Sequence, residues 1–274
     1  MTARAAVIGH PVAHSRSPAL FARFAHATGV ALTYEAVDVV PDDLAALLRA
    51  WRDDDAFVGC NVTIPHKERA VALTDRVDPS AAAVGAANVL TRDGRTLVAA
   101  NTDVAGVEAA LAQHGVALGG ARVAILGAGG AARAVAEAAR RGGARRITVA
   151  ARDAARARVL AEDFGGDACA LDDVPVADVY VNATPVGMQG QAQHSLLPPD
   201  APSHAAAFDL VYVPEETPFV LDARARGMVA ITGTAMFFAQ AAATFALWFG
   251  VVPPVDAADV RDVLSPFDKL RVTS

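Results

Sequence analysis

The sequence predicts a two-part α/β fold with a mainly parallel sheet in each part. Three observations lead there. Short apolar runs alternate with helical patterns along nearly the whole chain. A glycine-rich turn near the middle joins one apolar run to a helix, and the alternation restarts around it. Finally, 274 residues with 53% hydrophobic and 20% charged side chains can bury more core than one modest domain requires.

In chain order, strands are expected at residues 5–9, 33–39 and 57–63, each followed by a helical pattern, at 18–28, 44–51 and 66–73. This βαβαβα reading favours parallel pairing. Residues 87–91 and 96–100 flank Asp93-Gly94, which fits a hairpin whose turn needs positive φ. A helix over 102–114 should stop at Gly115. The second series comprises strand 122–126, helix 130–141, strand 145–150, helix 153–164, strands 179–182 and 206–210, helix 218–226 and strand 229–232. The pattern over 235–249 is apolar nearly all round and predicts a buried helix. Pro253-Pro254 breaks it, and a last helix is expected over 257–264.

Composition narrows the function classes. A net charge of −6 argues against general affinity for nucleic acid or anionic membrane, because both need basic surface. No window reaches the roughly 18 apolar residues of a membrane span, and residues 1–9 lack the pattern of a leader, which together point to the cytoplasm. The expected partner is a small molecule, with monomer and homodimer both open. Cys60 and Cys169 lie far apart without metal-ligand spacing, so the expectation is two buried structural thiols and no metal site. His10, His14 and His66 lack a carboxylate cluster of metal spacing and are read as packing or backbone-bonding residues. Arg16 is left outside the candidate site.

The central turn reads Gly127-Ala128-Gly129-Gly130-Ala131-Ala132, a G-x-G-x-x-A pattern after a strand and at the start of a helix. Gly127 permits the tight turn, Gly129 lets backbone approach a pyrophosphate, and Ala132 is small enough for close helix–strand packing. The helix start supplies amide N–H groups and positive dipole to phosphates. This is the signature of a Rossmann dinucleotide site. The residue at the end of the second strand separates NAD from NADP, since an acid there binds ribose hydroxyls and an arginine accommodates a 2′-phosphate. The chain has Ala151-Arg152-Asp153 there, with Arg156 one turn on, so NADP is favoured. Asp153 pulls the other way: its carboxylate could cap the following helix or bind a ribose hydroxyl and admit NAD.

The first half offers four polar clusters: His14-Ser15-Arg16-Ser17-Pro18, then Asn61-Val62-Thr63-Ile64-Pro65-His66-Lys67-Glu68, then Ala87-Asn88-Val89, and Asn101-Thr102-Asp103. Each falls beside an expected strand end or helix start, where open parallel sheets present ligand sites. Taken singly, each also reads blandly, Ser17 as a helix cap before Pro18, Thr102 or Asp103 as another, and Asn61 and Thr63 as strand ends. Lys67 and Lys269 are the two lysines among 24 basic residues, the rest being arginine. Where arginine serves for charge, a lysine marks a place that needs an ammonium.

Together these segments resemble the shikimate dehydrogenase family, whose motifs S-x-S-P, N-V-T-x-P-x-K, N-T-D and G-A-G-G-A stand here in order. The resemblance continues through Asn182-Ala183-Thr184-Pro185-Val186-Gly187-Met188, through Asp209 to Tyr212 with Pro214 and Thr217-Pro218, and through Met236, Gln240-Ala241-Ala242, Phe245 and Leu247-Trp248. It implies reversible hydride transfer between NADPH and 3-dehydroshikimate, with Lys67 and Asp103 as catalytic residues. Ser15 and Ser17 would bind the substrate carboxylate. Thr63, Asn88, Asp103 and Gln240 would bind its hydroxyls, with Tyr212 also on the substrate. Thr184, Gly233 and Met236 would join residues 127–132, Ala151, Arg152, Asp153 and Arg156 around NADP. It also implies a discontinuous substrate domain, residues 1–103 and 234–274, and a Rossmann cofactor domain, residues 104–233.

The sequence departs from the family pattern in three places. Ala100 and Val104 flank Asn101-Thr102-Asp103 where glycines are usual, Ala99 being the better match to the first. Ala151-Arg152-Asp153 replaces Asn-Arg-Thr, and Thr232-Gly233-Thr234-Ala235-Met236 replaces D-G-L-G-M. Two other readings remain on the sequence: a quinate/shikimate enzyme that uses NAD as readily as NADP, and a non-catalytic dinucleotide or metabolite sensor. Loss of the proton-transfer residue would mark the sensor, and this chain keeps Lys67 and Asp103.

Overall fold

A computed structural model describes residues 2–256 and Val263. The helix expected over 257–264 falls outside the described residues except for Val263. The chain forms two compact units, residues 1–102 with 240 onwards, and residues 103–239. The second crossing falls inside a helix rather than at residue 234.

The first unit contains β1 (Ala3–Gly9), α1 (Ser17–Thr28), β2 (Leu32–Asp38), α2 (Leu44–Arg52), β3 (Phe57–Val62), α3 (Lys67–Ala72), β4 (Arg76–Val77), α4 (Pro79–Val84), β5 (Val89–Asp93) and β6 (Thr96–Ala100). Its sheet runs β2-β1-β3-β5-β6-β4. β1 pairs parallel with β2 and β3, whereas β5 is antiparallel to both β3 and β6, so the sheet is mixed rather than wholly parallel. The reason is the hairpin: Asp93 faces Thr96, leaving Gly94 and Arg95 as a two-residue loop. Gly94 at φ 61° takes the first loop position, one residue later than expected, as a hairpin with glycine leading its loop requires. α2 buries Leu44, Leu48 and Trp51, spaced to line one face, and Trp51 stacks on Phe57 at 4.3 Å.

β4 and α4 are additions to the expected order. α4 carries its own local instructions: Asp78 accepts a hydrogen bond from Ser80 N–H at 2.9 Å, Pro79 opens the helix, and Gly85 at φ 69° closes it.

The second unit contains α5 (Asp103–Gln113), β7 (Arg122–Leu126), α6 (Gly130–Arg141), β8 (Arg146–Ala150), α7 (Ala154–Asp163), β9 (Asp167–Cys169), a 3-10 turn at Leu171–Asp173, β10 (Val179–Asn182), β11 (Ala206–Asp209), α8 (Pro218–Ala225) and β12 (Val229–Ile231), and it takes in the start of α9 (Gly233–Phe249). All its strand pairs are parallel, in the order β9-β8-β7-β10-β11-β12. Counted from β7 this is the 3-2-1-4-5-6 order of a doubly wound dinucleotide fold, with its switch point between β7 and β10. Ala132, Ala134, Ala136, Ala138 and Ala139 of α6 are fully buried, small side chains that bring the helix close to its neighbours. α9 begins with this unit because Gly233 sits against it: a Cβ there would lie 2.6 Å from the Val211 carbonyl oxygen. From Gln240 the helix belongs to the first unit, where Phe245 meets Phe24 at 5.7 Å and Phe21 at 6.2 Å. Among the described residues, no helix is long and apolar enough to cross a membrane.

Candidate active site

In the first unit the polar clusters gather along one edge of the sheet. β1 and β3 run parallel and end at Gly9 and Val62, and β6 ends at Ala100. Asn88 precedes β5 rather than lying within it, but β5 is antiparallel, so its start shares the edge where its neighbours finish. Backbone bonds fasten the edge: Val62 N–H donates to Asn88 O at 2.8 Å, and Ala87 N–H donates to Lys67 O at 2.8 Å. The second bond seats Lys67, the half-buried first residue of α3, beside the residue preceding Asn88.

Under this edge lies a buried polar network. Tyr34 Oη donates to Asn61 Oδ1 at 2.8 Å, and Asn61 Nδ2 reaches Thr244 Oγ1 at 3.3 Å. Thr244 Oγ1 stands 3.1 Å from Thr102 Oγ1, which accepts from Asn88 Nδ2 at 2.9 Å. Asn88 Oδ1 accepts from Thr102 N–H at 2.7 Å, and its Nδ2 lies 3.3 Å from Gln240 Oε1. The network therefore fixes Asn88 and joins Gln240 of α9 to the strand edge. Asn101 is held separately by Ser80 Oγ and Ala86 O. Sequence reasoning missed Thr244, although Gln240 and Thr244 stand one turn apart as polar residues in an apolar helix. Asp103, buried, starts α5 directly after Thr102. Thr63 is half-buried just past β3.

Ser15 is half-buried and Ser17 buried at the start of α1. Ser17 is not the helix cap: it is the first helical residue, and its N–H donates to Ser15 Oγ at 3.3 Å. His10 departs from the packing or backbone-bonding role expected for it. It is exposed, and its Nδ1 lies 2.6 Å from Asp38 Oδ1, a bond that holds the Asp38 carboxyl below its usual range. His14 is exposed as well. His66 does bond backbone, with Nε2 2.7 Å from Val39 O, and burial pushes its pKa down. Cys60 is buried, but Cys169 is only half-buried, on edge strand β9, and both thiols are free. Arg16 Nε is buried without a hydrogen-bond partner.

In the second unit Gly127 directly follows β7, at φ 115°, a conformation that disfavours any side chain. A Cβ on it would also lie 2.9 Å from the Ala183 carbonyl oxygen and 3.2 Å from Thr184 Cγ2. Gly129 differs. It caps α6 in ordinary extended backbone, and a Cβ there would meet nothing within 4 Å. No protein packing demands that glycine, and the open space before the amides of α6 is what a close pyrophosphate needs. Ala128, Gly130 and Ala131 are half-buried, and Ala132 is fully buried.

At the end of β8, Ala151 is buried, and Arg152, Asp153 and Arg156 are exposed. Asp153 caps α7: its Oδ1 accepts from Ala155 N–H and Arg156 N–H, each at 3.1 Å.

Beyond the switch point, β10 and β11 both end in buried polar residues, Asn182 and Asp209, which are register partners. Asn182 Nδ2 donates to Asp209 Oδ1 at 2.9 Å and to Val186 O at 3.1 Å. Its Oδ1 accepts from Thr184 N–H at 3.0 Å and Thr184 Oγ1 at 2.7 Å. Asp209 Oδ1 also accepts from Val211 N–H at 2.9 Å, and Oδ2 accepts from Thr217 Oγ1 at 2.5 Å. Burial pushes the Asp209 carboxyl up to about 6, against the lowering effect of these bonds. Nearby, Tyr212 stacks on Phe237 at 4.2 Å, and Met236 is buried in the first turn of α9.

Comparison with known proteins places this arrangement. Residues 7–90 match the model of the shikimate dehydrogenase substrate binding domain, and residues 109–188 match that of shikimate / quinate 5-dehydrogenase. A shikimate dehydrogenase (NADP(+)) of Acidiphilium cryptum is 45% identical over 94% of this chain and 95% of its own. The chain belongs to the shikimate dehydrogenase family. Within that family, the protein of the same description from Mesorhizobium japonicum is 41% identical over 93% of this chain and 94% of its own. The crystal structure of shikimate 5-dehydrogenase from Thermus thermophilus, solved with NADP(H) and shikimate, is 39% identical with a TM-score of 0.83, over 96% of this chain and 98% of that one.

Proposed function

We propose that this chain reduces 3-dehydroshikimate to shikimate, reversibly and with NADPH, in the cytoplasm. The observation that supports this most directly is the strand edge of the first unit, where Lys67 and Asn88 are fastened side by side through the Lys67–Ala87 backbone bond. A lysine whose backbone is fastened beside the buried amide of Asn88 suits a polyhydroxylated carbonyl substrate. Ser15 and Ser17 take its carboxylate, Thr63, Asn88, Asp103 and Gln240 its hydroxyls, and Tyr212 adds a further contact.

NADPH, when bound, supplies the hydride. Gly127 and Gly129 and the α6 amides would hold its pyrophosphate, with Ala128, Gly130, Ala131 and Ala132 shaping the turn. Arg152 and Arg156 would meet the 2′-phosphate beside Ala151, and Thr184, Gly233 and Met236 would border the nicotinamide. Lys67 gives a proton to the oxygen that turns into the alcohol and stabilises its developing negative charge. Asp103 orients the lysine and the adjacent hydroxyl. A guanidinium could supply the charge but not readily the proton.

The test is the initial rate of NADP reduction with shikimate, repeated for Lys67→Ala and Lys67→Arg. Both variants should lose about 100-fold or more in kcat while still binding NADPH. A wild type with no rate refutes the reading, and a Lys67→Ala enzyme of full kcat refutes the role of the lysine.

A further inference from the structure

Asp209 is a buried carboxylate whose partners, Asn182, Val211 N–H and Thr217, are all neutral. Among the described residues, no cation pairs with it. Burying such a group costs free energy that a well-packed apolar residue would not, so stability alone gives no reason to keep it. Its bonds suggest another reason. Through Oδ1 it anchors Asn182, whose amide binds three times into residues 184–186. That loop is the one lying against Gly127, close enough that a Cβ would meet the Ala183 carbonyl at 2.9 Å. Through the same Oδ1, Asp209 also fixes Val211, whose carbonyl abuts Gly233 at the start of α9.

We propose that Asp209 is a positioning residue for the dinucleotide, a strut at the sheet's switch point that sets residues 183–187 against the Gly127 turn and seats Gly233. This rests on the reading of residues 127–132, Thr184 and Gly233 as the cofactor contacts. Three groups converge on the carboxylate's two oxygens, and no apolar side chain of similar size could hold all three segments. An asparagine could: its Oδ1 accepts from Asn182 and Val211, and its Nδ2 donates to Thr217 Oγ1, which already accepts from Val220 N–H.

The test is a fluorescence titration of NADPH onto purified wild type, Asp209→Ala and Asp209→Asn, alongside thermal melts and KM for NADP and for shikimate. Asp209→Ala should raise the Kd for NADPH about tenfold or more and raise KM for NADP with it, leaving KM for shikimate at saturating NADP within twofold. Asp209→Asn should stay within about threefold of wild type in every constant. If Asp209→Ala does not fold, Asn182→Ser takes its place under the same threshold, since a serine is too short to span from β10 to Asp209 and Val186. Wild-type Kd in the folded variant overturns the proposal, whatever happens to its melting temperature. So does an equal rise in both KM values, the mark of a general loss of structure. A wild type that binds no NADPH would instead remove the cofactor reading itself.

Discussion

The Gly127 turn and the Ala183 carbonyl are in such close contact that the first cannot carry a side chain without moving the second. Gly127→Ala should therefore cost stability twice, through a φ of 115° worth about 1–2 kcal/mol and through displacement of the loop. Gly129→Ala has neither problem. It should lower stability by no more than about 1 kcal/mol, the loss expected at a helix cap, and still weaken NADPH binding at least tenfold. Urea unfolding and NADPH titration of the two variants together separate a glycine kept for the fold from one kept for a ligand.

Thr244→Val keeps the volume of α9 and removes the hydroxyl that links Asn61 to Thr102. Denaturant unfolding should show a loss of about 1–3 kcal/mol, the cost of leaving buried polar groups short of a partner. With Asn88 and Gln240 less well fixed, KM for shikimate should rise severalfold while KM for NADP stays unchanged.

Asp209 also gives stability a pH dependence of definite sign. Its folded-state pKa, about 6, stands above the ordinary 3.8, so protonation favours the folded protein. Its stabilising contribution is complete below about pH 4 and is lost as pH rises through about 6, a swing of about 3 kcal/mol. Asp209→Asn has no such titration. Unfolding free energies at pH 4.5 and pH 7.5 should show the variant gaining on wild type as pH rises, and a constant difference would refute the assignment.

Asp178 works in the opposite direction. Arg122 grips its carboxyl through three hydrogen bonds and holds it down at about 2, so the pair stabilises above pH 4 and fails as pH falls towards 2. Asp178→Asn should lower stability at neutral pH modestly, because the pair is partly exposed, and the deficit should vanish in acid melts near pH 2.

Asp153 spends its Oδ1 on the cap of α7, and it stands between Arg152 and Arg156 in the sequence. Asp153→Thr keeps a capping oxygen and removes the charge. The ratio of kcat/KM for NADP over NAD should rise about fivefold or more, with the melting temperature nearly unchanged; an unchanged ratio would mean the carboxylate does not face the 2′-phosphate.

Much of this was legible in the residues. The strands and helices from Arg122 to Ala150 stand where periodicity puts them, since each is long enough to repeat its pattern and the glycine turn marks the junction. Two- and three-residue strands such as Arg76–Val77 and Asp167–Cys169 have no period to detect, and only the neighbouring strand defines them. α4 could have been found from Asp78, Pro79 and Gly85. Of the candidate residues, Lys67 was marked by its rarity. The Asn182–Asp209 pair was visible only as a polar residue closing each of two apolar runs. Their bond depends on the alignment of β10 with β11, set by side-chain packing across the sheet.

The hairpin turn at Gly94 and Arg95 reaches further than its own few atoms. Side chains along a strand alternate between faces, so the face that each residue of β5 presents, from Val89 to Asp93, is decided by counting back from the turn. One residue inserted between Val89 and Gly94 would set the pairing of β5 against the backbone bonds that Asn88 makes with Val62 and Ala100, even though no residue near Lys67 had changed. The turn thus serves as the origin from which the register of the strand next to Asn88 is counted.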